Sequence, residues 1–296
     1  MARACRGVSS SVHISMSKVS PRYSVVVTCY NLGAFLEEAI ASIPNDPEVE
    51  IIVVDDGSTE PRTVEVIERL PAHVRLIRQS NQGLAQARNN GIEAALGDFI
   101  IPLDADNRLR SEMVDEARRV FRDHPEMEVV YGDAEYFGAR AGRWELGPSD
   151  LVDLIVRNRI DACAAFKRSL WERLGGYDRS MPVMGFEDWD FWLRAVVAGA
   201  QFYRSDHILF EYRVREDSMI GTTMQHRDRL VAYIFQKPEL RFLSDLRTEY
   251  LWFVTREREA RILTGRHLLA MLVQRIAQRF GSKDVLEDVL MLKNKH

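Results

Sequence analysis

The sequence predicts an α/β protein: a mostly parallel sheet with helices on both faces, followed by a helical appendage. From Pro21 onward, short runs of β-branched residues alternate with helical segments, which is the pattern of βαβ units. After Pro238 the strand-type runs stop and the pattern is helical to the end. The predicted organisation is a leader over 1–20, a main domain over 21–236 and a helical C-terminal extension over 237–296.

The composition is that of an ordinary globular protein. Its 296 residues are 46% hydrophobic and 28% charged, and no apolar run approaches the roughly 20 residues of a membrane span. The net charge of -4 argues against a nucleic-acid partner. The three cysteines form no metal or redox motif and indicate a reducing, cytoplasmic compartment. Residues 1–20 are Ser-rich and basic without an apolar run, so they predict a disordered leader.

Strands and helices alternate through the first third of the chain, and the strands are rich in Val and Ile. In order, the predicted elements are strand Tyr23–Cys29, helix Leu32–Ile43, strand Glu50–Val54, helix Arg62–Leu70, strand Val74–Arg78, helix Gly83–Ala95 and strand Asp98–Leu103. The second half is less regular. It predicts strands over Glu128–Phe137 and Gln201–Arg213, and helices over Asp150–Asn158 and Gly185–Gly199.

Polar residues follow three of the predicted strands. They are Thr28, Tyr30 and Asn31 after the first, Asp55 and Asp56 after the second, and Asp104 and Asp106 after the fourth. Ligands of open parallel sheets bind beyond the carboxyl ends of the strands, so these residues predict one site. A single aspartate after a strand is commonly a turn former or a helix cap. Three clusters at successive strand ends favour the site.

The sharpest local feature is the pair Asp104 and Asp106. In an extended segment, side chains at i and i+2 project from the same side. A few hard oxygen ligands suit Mg²⁺ or Mn²⁺ bound jointly with a phosphate group. The alternative is an Asx turn before the helix predicted at Ser111.

The segment Asn81–Gly91 opens a helix with a glycine, Gly83, which lets a ligand approach the backbone. A helix N-terminus favours anions, and Arg88 in the second turn could contact a phosphate or pair with an aspartate. The alternative is a surface helix with Arg88 in a structural salt bridge. The sequence has no G-x-G-x-x-G after the first strand and no P-loop motif, which argues against dinucleotide binding and P-loop chemistry.

Six motifs occur in a fixed order along the chain: Val26–Asn31, Ile52–Thr59, Asn81–Ile92, Asp104-x-Asp106, Gly175–Asp178 and Gly185–Phe191. The ordered set resembles the family 2 glycosyltransferases and covers roughly Pro21 to Met219. The resemblance implies a GT-A fold with a Rossmann-like sheet that binds a nucleotide sugar. It also implies an inverting transfer of a sugar, usually from a uridine-diphosphate donor.

Carried over by position, the resemblance implies a role for each matching residue. Thr28 and Asp56 match positions that hold the base and ribose of the nucleotide. Asp104 matches a residue near the ribose and the metal-bound water, and Asp106 matches the direct ligand of a manganese or magnesium ion. Asp188 matches the catalytic base. The remaining residues assigned to the nucleotide-sugar site are Tyr30, Asn31, Gly83 and Arg88.

The chemistry of the reaction is consistent with these roles. An inverting transfer needs a carboxylate that takes the proton of the acceptor hydroxyl. The departing diphosphate needs its charge neutralised, which a divalent cation does. Glu187 and Trp189, beside Asp188, are assigned to the acceptor or sugar region. Their alternatives are an acidic residue that stabilises a helix N-terminus and a core aromatic at helical spacing.

One position departs from the family pattern. Many members carry Tyr-Arg-x-His after the last strand, where the histidine can complete the metal or phosphate site, but this chain has Arg215 at the histidine position. A guanidinium has no lone pair for a cation, although it can bind diphosphate oxygens bidentately. Arg215 is therefore predicted to bind the nucleotide sugar. Either the metal depends on Asp106, phosphates and water, or the dependence on metal is weaker.

The C-terminal extension is basic, with 12 Lys+Arg and 8 Asp+Glu over 237–296. Residues 262–280 place apolar side chains on one helical face, flanked by arginines. This pattern favours packing on the main domain or on a second subunit in a homodimer. The alternative is peripheral contact with an anionic membrane surface, where lipid-linked acceptors reside.

The function predicted from the sequence is sugar transfer to a hydroxyl of a glycan, a lipid-linked molecule or a cell-envelope molecule, as in polysaccharide biosynthesis. One alternative is a sugar nucleotidyltransferase, but Thr28–Gly33 lacks the Gly- and Lys/Arg-rich loop that such an enzyme would usually show. The other alternative is an inactive, glycosyltransferase-like binding module. The presence of Asp106 and Asp188 argues against it.

Overall fold

The structure is a computed structural model that describes residues 21–146, 151–215 and 220–260. The predicted leader over 1–20 and the apolar face predicted over 262–280 lie outside the described residues.

The strands of the described residues form one mixed sheet in the order β3-β2-β1-β4-β8-β6-β9-β5, with β7 paired to β6. Their bounds are β1 (Tyr23–Cys29), β2 (Val49–Asp55), β3 (Val74–Arg78), β4 (Phe99–Asp104), β5 (Arg108–Leu109), β6 (Val129–Gly138), β7 (Gly142–Trp144), β8 (Ala165–Lys167) and β9 (Phe202–Val214). The helices are α1 (Gly33–Ala41), α2 (Pro61–Glu68), α3 (Leu84–Ala94), α4 (Ser111–Asp123), α5 (Leu151–Val156), α6 (Arg168–Leu174), α7 (Glu187–Val197), α8 (Ile220–Gln225), α9 (Arg227–Phe235) and α10 (Arg241–Ala260), with a 3₁₀ turn at Pro238–Leu240 before α10.

The first four long strands are parallel, in the order β3-β2-β1-β4. Their register pairs Thr28 with Asp104 and Cys29 with Asp55, so the polar residues at the strand ends share one edge. The predicted fold class is confirmed. The other half of the sheet is mixed, because β8 runs antiparallel to both β4 and β6.

Two apolar clusters cover the two faces of the sheet. Val26 of β1 belongs to the cluster that contains residues of α3 and α7, whereas Val25 and Val27 belong to the cluster that contains residues of α1 and α4. A strand covered on both faces has apolar side chains at successive positions, which explains the continuous run in β1. Helix α3 lies very close to this strand: a Cβ added at Gly91 would be 2.3 Å from Cγ1 of Val26.

The long elements agree with the sequence predictions to within a few residues, but short ones were missed. The missed elements are β5, β7, β8, α6, α8 and α9. Strands of two or three residues are too short to show a period, and their pairing depends on the strands beside them. Helix α7 is the predicted aromatic helix, and its side chains Trp189, Phe191 and Trp192 are buried in the core.

The described part of the C-terminal extension packs on the main domain. Leu240, Leu243 and Leu246 are buried in the same cluster as Trp189 of α7. Lys237 Nζ lies 2.5 Å from Asp190 Oδ1. The domain boundary at 236 stays a prediction from sequence. Among the helices of the described ranges, none combines the length and apolar character needed to cross a membrane.

Candidate active site

A cleft of about 440 Å³ opens at the carboxyl ends of the parallel strands. Most of the residues predicted for the site line it: Thr28, Tyr30, Asp56, Arg88, Asp104, Asp106, Glu187, Asp188 and Arg215. The fold therefore brings together residues from β1, β2, β4, α3 and α7 that are far apart in sequence.

The end of β4 carries two carboxylates, Asp104 and Asp106, and the end of β1 places Thr28 beside the first of them. Thr28 Oγ1 donates a hydrogen bond of 3.3 Å to Asp104 Oδ1. Asp106 is two residues further, and its Oδ2 lies 3.2 Å from Nε of Arg215. Burial and the Asp104 carboxylate raise the pKa of Asp106 to about 6, against the opposing effect of Arg215. The two carboxylates and the guanidinium form one charged group at this end of the cleft.

Asp56 follows β2 and holds the loop that leads into α3. Its Oδ1 accepts hydrogen bonds from Gln79 Nε2 and the backbone N–H of Gln82, both at 2.8 Å. Its Oδ2 accepts the N–H of Gly83 at 2.9 Å. Asp56 is buried, and backbone N–H donors compensate its charge there. The same contacts fix the entrance of α3 relative to the strand edge.

Arg88 connects the strand edge to helix α7. Its guanidinium donates to Asp104 Oδ1 at 2.8 Å and to Glu187 Oε1 at 2.7 Å, and the side chain is only 2% exposed. Burial lowers the pKa of Arg88, but the Asp104 and Glu187 carboxylates outweigh it and hold the pKa above its ordinary value. Arg88 is thus a buried cation shared by two carboxylates. The predicted pair with an aspartate is present, and the predicted contact of Arg88 with a phosphate stays a prediction.

Asp188 lies in the first turn of α7, where the helix dipole stabilises an acidic side chain. Its Oδ2 accepts a hydrogen bond of 2.9 Å from Asn158 Nδ2, and its Oδ1 accepts the N–H of Trp189 at 2.7 Å. Burial and the adjacent Glu187 carboxylate raise the pKa of Asp188 to about 6. Arg88 and the two hydrogen bonds act in the opposite direction. A carboxylate with this pKa is ionised, and able to take a proton, at neutral pH.

The backbone before Asp188 is unusual. Phe186 has a φ of 63°, which places a residue other than glycine in the left-handed region, and Gly185 before it has a φ of 110°. The N–H of Gly185 donates to Glu187 Oε2 at 2.9 Å. Such backbone geometry costs on the order of 1–3 kcal/mol, and it recurs at functional sites. Here it turns the chain so that Glu187 meets Arg88 while Asp188 faces the cleft.

Other residues that the sequence analysis did not select also line the cleft, and four of them are Trp144, Asn158, Asp161 and Tyr212. Burial raises the pKa of Asp161 to about 7, with further contributions from the Asp188 and Asp104 carboxylates. Three of the four come from the stretch 133–183, which shows no recognisable acceptor motif. Their only sequence signal is a polar residue inside an irregular segment, which is too common to select them.

Three predicted site residues do not line the cleft. Trp189 is 1% exposed and its Nε1 donates to the backbone oxygen of Leu154, so its ring lies in the core, and its assignment to the acceptor region stays a prediction. Asn31 has a φ of 54° and uses its Oδ1 to accept the N–H groups of Thr59 and Glu60. Gly83 precedes α3 with a φ of 86° and donates its N–H to Asp56. Each of these three residues is engaged by neighbouring protein atoms, and its assigned site role stays a prediction.

A stack of guanidinium groups and aromatic rings leads to Arg215. The ring of Phe137 contacts two guanidinium groups. Its centre lies 4.1 Å from the guanidinium of Arg108 and 4.2 Å from that of Arg213. Arg213 lies 4.6 Å and Arg215 5.2 Å from the ring of Phe35. Cation–π contacts of this length are favourable. They hold Arg215 in place beside Asp106.

The donor set at Asp104 and Asp106 suits a magnesium or manganese ion shared with a phosphate group. Magnesium is usually bound through one or two protein carboxylates plus substrate phosphates and water. No group of three His, Cys, Asp or Glu side chains that could hold a metal occurs in the described part of the chain. Arg215, at the edge of the pair, supplies no lone pair. The residues therefore fit a cation held jointly with a ligand, not a site made of protein alone.

A parallel sheet whose carboxyl edge carries a carboxylate pair, with a further carboxylate facing it from a helix, is consistent with the class of glycosyltransferases that have the GT-A fold. The family model described as glycosyl transferase family 2 matches residues 24–175, about half of the chain. The chain belongs to this family. The predicted enzyme class is confirmed at the level of the family.

Relatives and solved structures agree with this assignment. The PGL/p-HBAD biosynthesis glycosyltransferase of Mycobacterium bovis (strain BCG / Pasteur 1173P2) is 28% identical over 202 residues, which are 64% of this chain and 75% of the relative. EpsH of Bacillus subtilis (strain 168) is 31% identical over 121 residues, 40% of this chain and 35% of EpsH, so the chain spans about a third of that protein.

Two solved structures show the same fold. S. aureus TarS 1-349 in complex with UDP-GlcNAc has a TM-score of 0.62 at 16% identity, covering 92% of this chain and 90% of that one. The mannosyltransferase PcManGT from Pyrobaculum calidifontis in complex with GDP-Man and Mn²⁺ has a TM-score of 0.58 at 20% identity, covering 94% and 89%. At these identities the likeness extends to the fold.

Proposed function

We propose that this chain transfers a sugar from a nucleotide-diphosphate donor, first of all a UDP-sugar, to an acceptor hydroxyl with inversion. The observation that carries the proposal is that Asp188 faces the same cleft as Asp56, Asp104 and Asp106. An inverting transfer needs a base and a diphosphate-binding group within one cleft. The nucleotide sugars in the TarS and PcManGT complexes support a donor of this class.

Asp188 is the proposed base. Its carboxylate accepts the proton of the acceptor hydroxyl while that oxygen attacks C1 of the donor sugar. The bond between C1 and the diphosphate oxygen breaks on the opposite side, and the nucleoside diphosphate departs with the electron pair. Thr28 and Asp56 are the proposed contacts to the nucleotide, and Tyr30, 45% exposed, lies at the margin of the cleft.

Asp104 and Asp106 are the proposed residues for a magnesium or manganese ion. When bound, the ion would neutralise the negative charge of the departing diphosphate. Arg215 lies beside Asp106 and is the proposed protein cation for the same oxygens, since a guanidinium binds phosphate oxygens in pairs. The Mn²⁺ in the PcManGT complex supports a divalent cation.

The proposed acceptor is a hydroxyl of a glycan, a lipid-linked molecule or a cell-envelope molecule. The proposed location is the cytoplasm, with the basic C-terminal extension as the segment that would meet a membrane face or a second copy of the chain. A vesicle flotation assay of the full chain with anionic lipids would separate these two possibilities.

The test of the proposed function is a panel of UDP- and GDP-sugars with Mg²⁺, with Mn²⁺ and with a chelator. We expect one donor to raise the melting temperature, since a ligand at 100 times its Kd stabilises the fold by about 2.7 kcal/mol. We also expect release of the nucleoside diphosphate, and the anomeric configuration of the product, read by NMR, reports inversion. The proposal is wrong if no nucleotide binds and no donor is consumed under any of these conditions.

A further inference from the structure

Asn158 makes a direct contact with the proposed base that no sequence motif indicates. It lies between α5 and β8, 30 positions before Asp188, and its Nδ2 donates to Asp188 Oδ2 at 2.9 Å. The side chain lines the cleft. The opposite oxygen of the carboxylate, Oδ1, is held at 2.7 Å by the N–H of Trp189. Together the two donors fix the plane of the carboxylate.

The hydrogen bond between Asn158 and Asp188 is not needed to hold helix α5 against helix α7. Helices α5 and α7 are already connected by the bond from Trp189 Nε1 to the backbone oxygen of Leu154, at 2.6 Å, and by buried apolar side chains such as Leu154 and Ile155. The bond from Asn158 adds orientation to one carboxylate. A purely packing role would be served as well by an apolar side chain of similar size.

The oxygen of the Asn158 amide is held at a cost in free energy. Oδ1 of Asn158 is buried and accepts no hydrogen bond from the described residues. Leaving a buried acceptor unsatisfied costs about 1–3 kcal/mol. The amide therefore keeps its N–H₂ group towards Asp188 although its oxygen is left without a donor. This orientation matches an ionised carboxylate, which accepts hydrogen bonds and donates none.

We propose that Asn158 is a positioning residue for Asp188: its amide holds the carboxylate in the orientation and the ionised state in which it takes the proton of the acceptor hydroxyl. This inference depends on the proposed role of Asp188 as the base. Asn158 itself is not assigned any contact with substrate.

Several charged or titratable groups face Asp188 from the elements around it. They are Glu187 in its own helix, Arg88 from α3, Asp104 from β4, Asp161 from the segment of Asn158, the buried Tyr177 and the half-buried Tyr212. The carboxylates among them disfavour the ionised form of Asp188, and Arg88 favours it. Removing the Asn158 amide shifts this balance towards the protonated form, because a hydrogen bond to the carboxylate is lost.

The test compares Asn158→Ala and Asn158→Ser with the wild type. We expect kcat to fall about 10- to 100-fold, since small misplacements of a reacting group cost up to roughly 10²-fold. The KM for the donor and the affinity for UDP stay unchanged. The acid limb of the pH profile of kcat/KM, expected near the pKa of about 6 in the wild type, moves to higher pH. The sign follows because the lost hydrogen bond favoured the form that is active above the pKa.

The matched control is Arg157→Ala at the neighbouring position. The side chain of Arg157 is exposed and pairs with Asp153 of α5. This variant should leave kcat and the pH profile unchanged. A carboxyl ¹³C titration of Asp188 in the Asn158→Ala variant gives the same answer without turnover: the pKa should rise.

The proposal is overturned if Asn158→Ala lowers the melting temperature but keeps the acid limb and the Asp188 titration in place, because the residue is then merely structural. It is also overturned if kcat is unchanged. If the wild type binds no nucleotide and transfers no sugar, the proposed function fails first, and the positioning role fails with it.

Discussion

The cleft has two sides that treat negative charge differently. On the strand side, formed by Thr28, Asp56, Asp104 and Asp106, each carboxylate is compensated. Asp104 and Asp106 pair with guanidinium groups, and Asp56 accepts three hydrogen bonds from the loop before α3. The loop side is formed by Asn158, Asp161 and Asp188. In the described part of the chain, neither of its two aspartates forms a salt bridge.

The difference concerns the groups that compensate the carboxylates, since raised pKa values occur on both sides. On the strand side the pKa of Asp106 is also raised to about 6, although Arg215 beside it favours the charged form. Asp188 and Asp161 lie among other carboxylates, and their pKa values are raised to about 6 and about 7. The strand side therefore differs in having cations beside Asp104 and Asp106, and not in the pKa of Asp106. The loop side is suited to exchanging a proton near neutral pH.

The largest expected effect is a loss of kcat when Asp188 on the loop side is replaced. Asp188→Asn keeps the shape of the side chain but removes its ability to take a proton, so kcat should fall by about 10²–10⁴-fold, the usual contribution of a general base. Affinity for UDP should stay within about twofold, since the strand side is untouched. Initial rates and isothermal titration calorimetry measure the two quantities.

The matched control for this variant is Asp228→Asn, a fully exposed aspartate of α9 outside the cleft, which should behave as the wild type. An Asp188→Asn enzyme that retains most of its activity would show that Asp188 does not accept the proton of the acceptor hydroxyl. The contrast between the two sides would then not explain the reaction.

The second-largest expected effect is a loss of stability when Arg88, which contacts both Asp104 and Glu187, is replaced. Arg88→Met leaves the carboxylates of Asp104 and Glu187 without their shared cation. Breaking a buried ion pair by removing one partner typically costs about 3–5 kcal/mol, because an uncompensated charge stays buried. We expect a loss of this size in the free energy of unfolding, measured with urea. The exposed pair of Arg69 and Glu65 offers the control: Arg69→Met should cost less than about 1 kcal/mol.

Adding Glu187→Gln to Arg88→Met should recover part of the lost stability, since one of the two uncompensated charges is then removed. If Arg88→Met costs no more than the exposed control, Arg88 is not the electrostatic connection between the strand side and helix α7. The two sides would then be independent units.

The strand side could be predicted from the sequence because its residues follow a regular pattern. Thr28, Asp56, Asp104 and Asp106 come directly after runs of apolar residues, and parallel strands bring such positions to one edge. The mostly parallel sheet and the cleft at that edge follow from the same runs, whereas the GT-A fold is implied by the family resemblance. Asp188 was found only through the family resemblance, since an acidic residue at a helix N-terminus is common for other reasons.

The loop side could not be predicted in the same way. Asn158 and Asp161 lie in an irregular segment, and the partner of Asn158 is 30 positions away. Trp189 was assigned to the acceptor region, but sequence spacing does not reveal which face of an aromatic helix is covered by α5 and α9. Arg88 was ambiguous until its two carboxylate partners were located. These details depend on tertiary packing, which periodicity does not encode.

The smallest expected effect sharpens the strand side. If Arg215 supplies positive charge to the diphosphate, Arg215→Gln should weaken UDP binding about tenfold in the presence of a chelator, since a hydrogen bond to a charged group contributes about 1.5–3 kcal/mol. With saturating Mg²⁺ the loss should be smaller, because the cation neutralises the same oxygens. Calorimetric titration of UDP under both conditions measures the difference.

Arg62→Gln, an exposed arginine of α2, is the control. Equal losses with and without Mg²⁺ would show that Arg215 acts through Asp106 alone, and that the guanidinium stack positions a structural pair instead of a ligand contact.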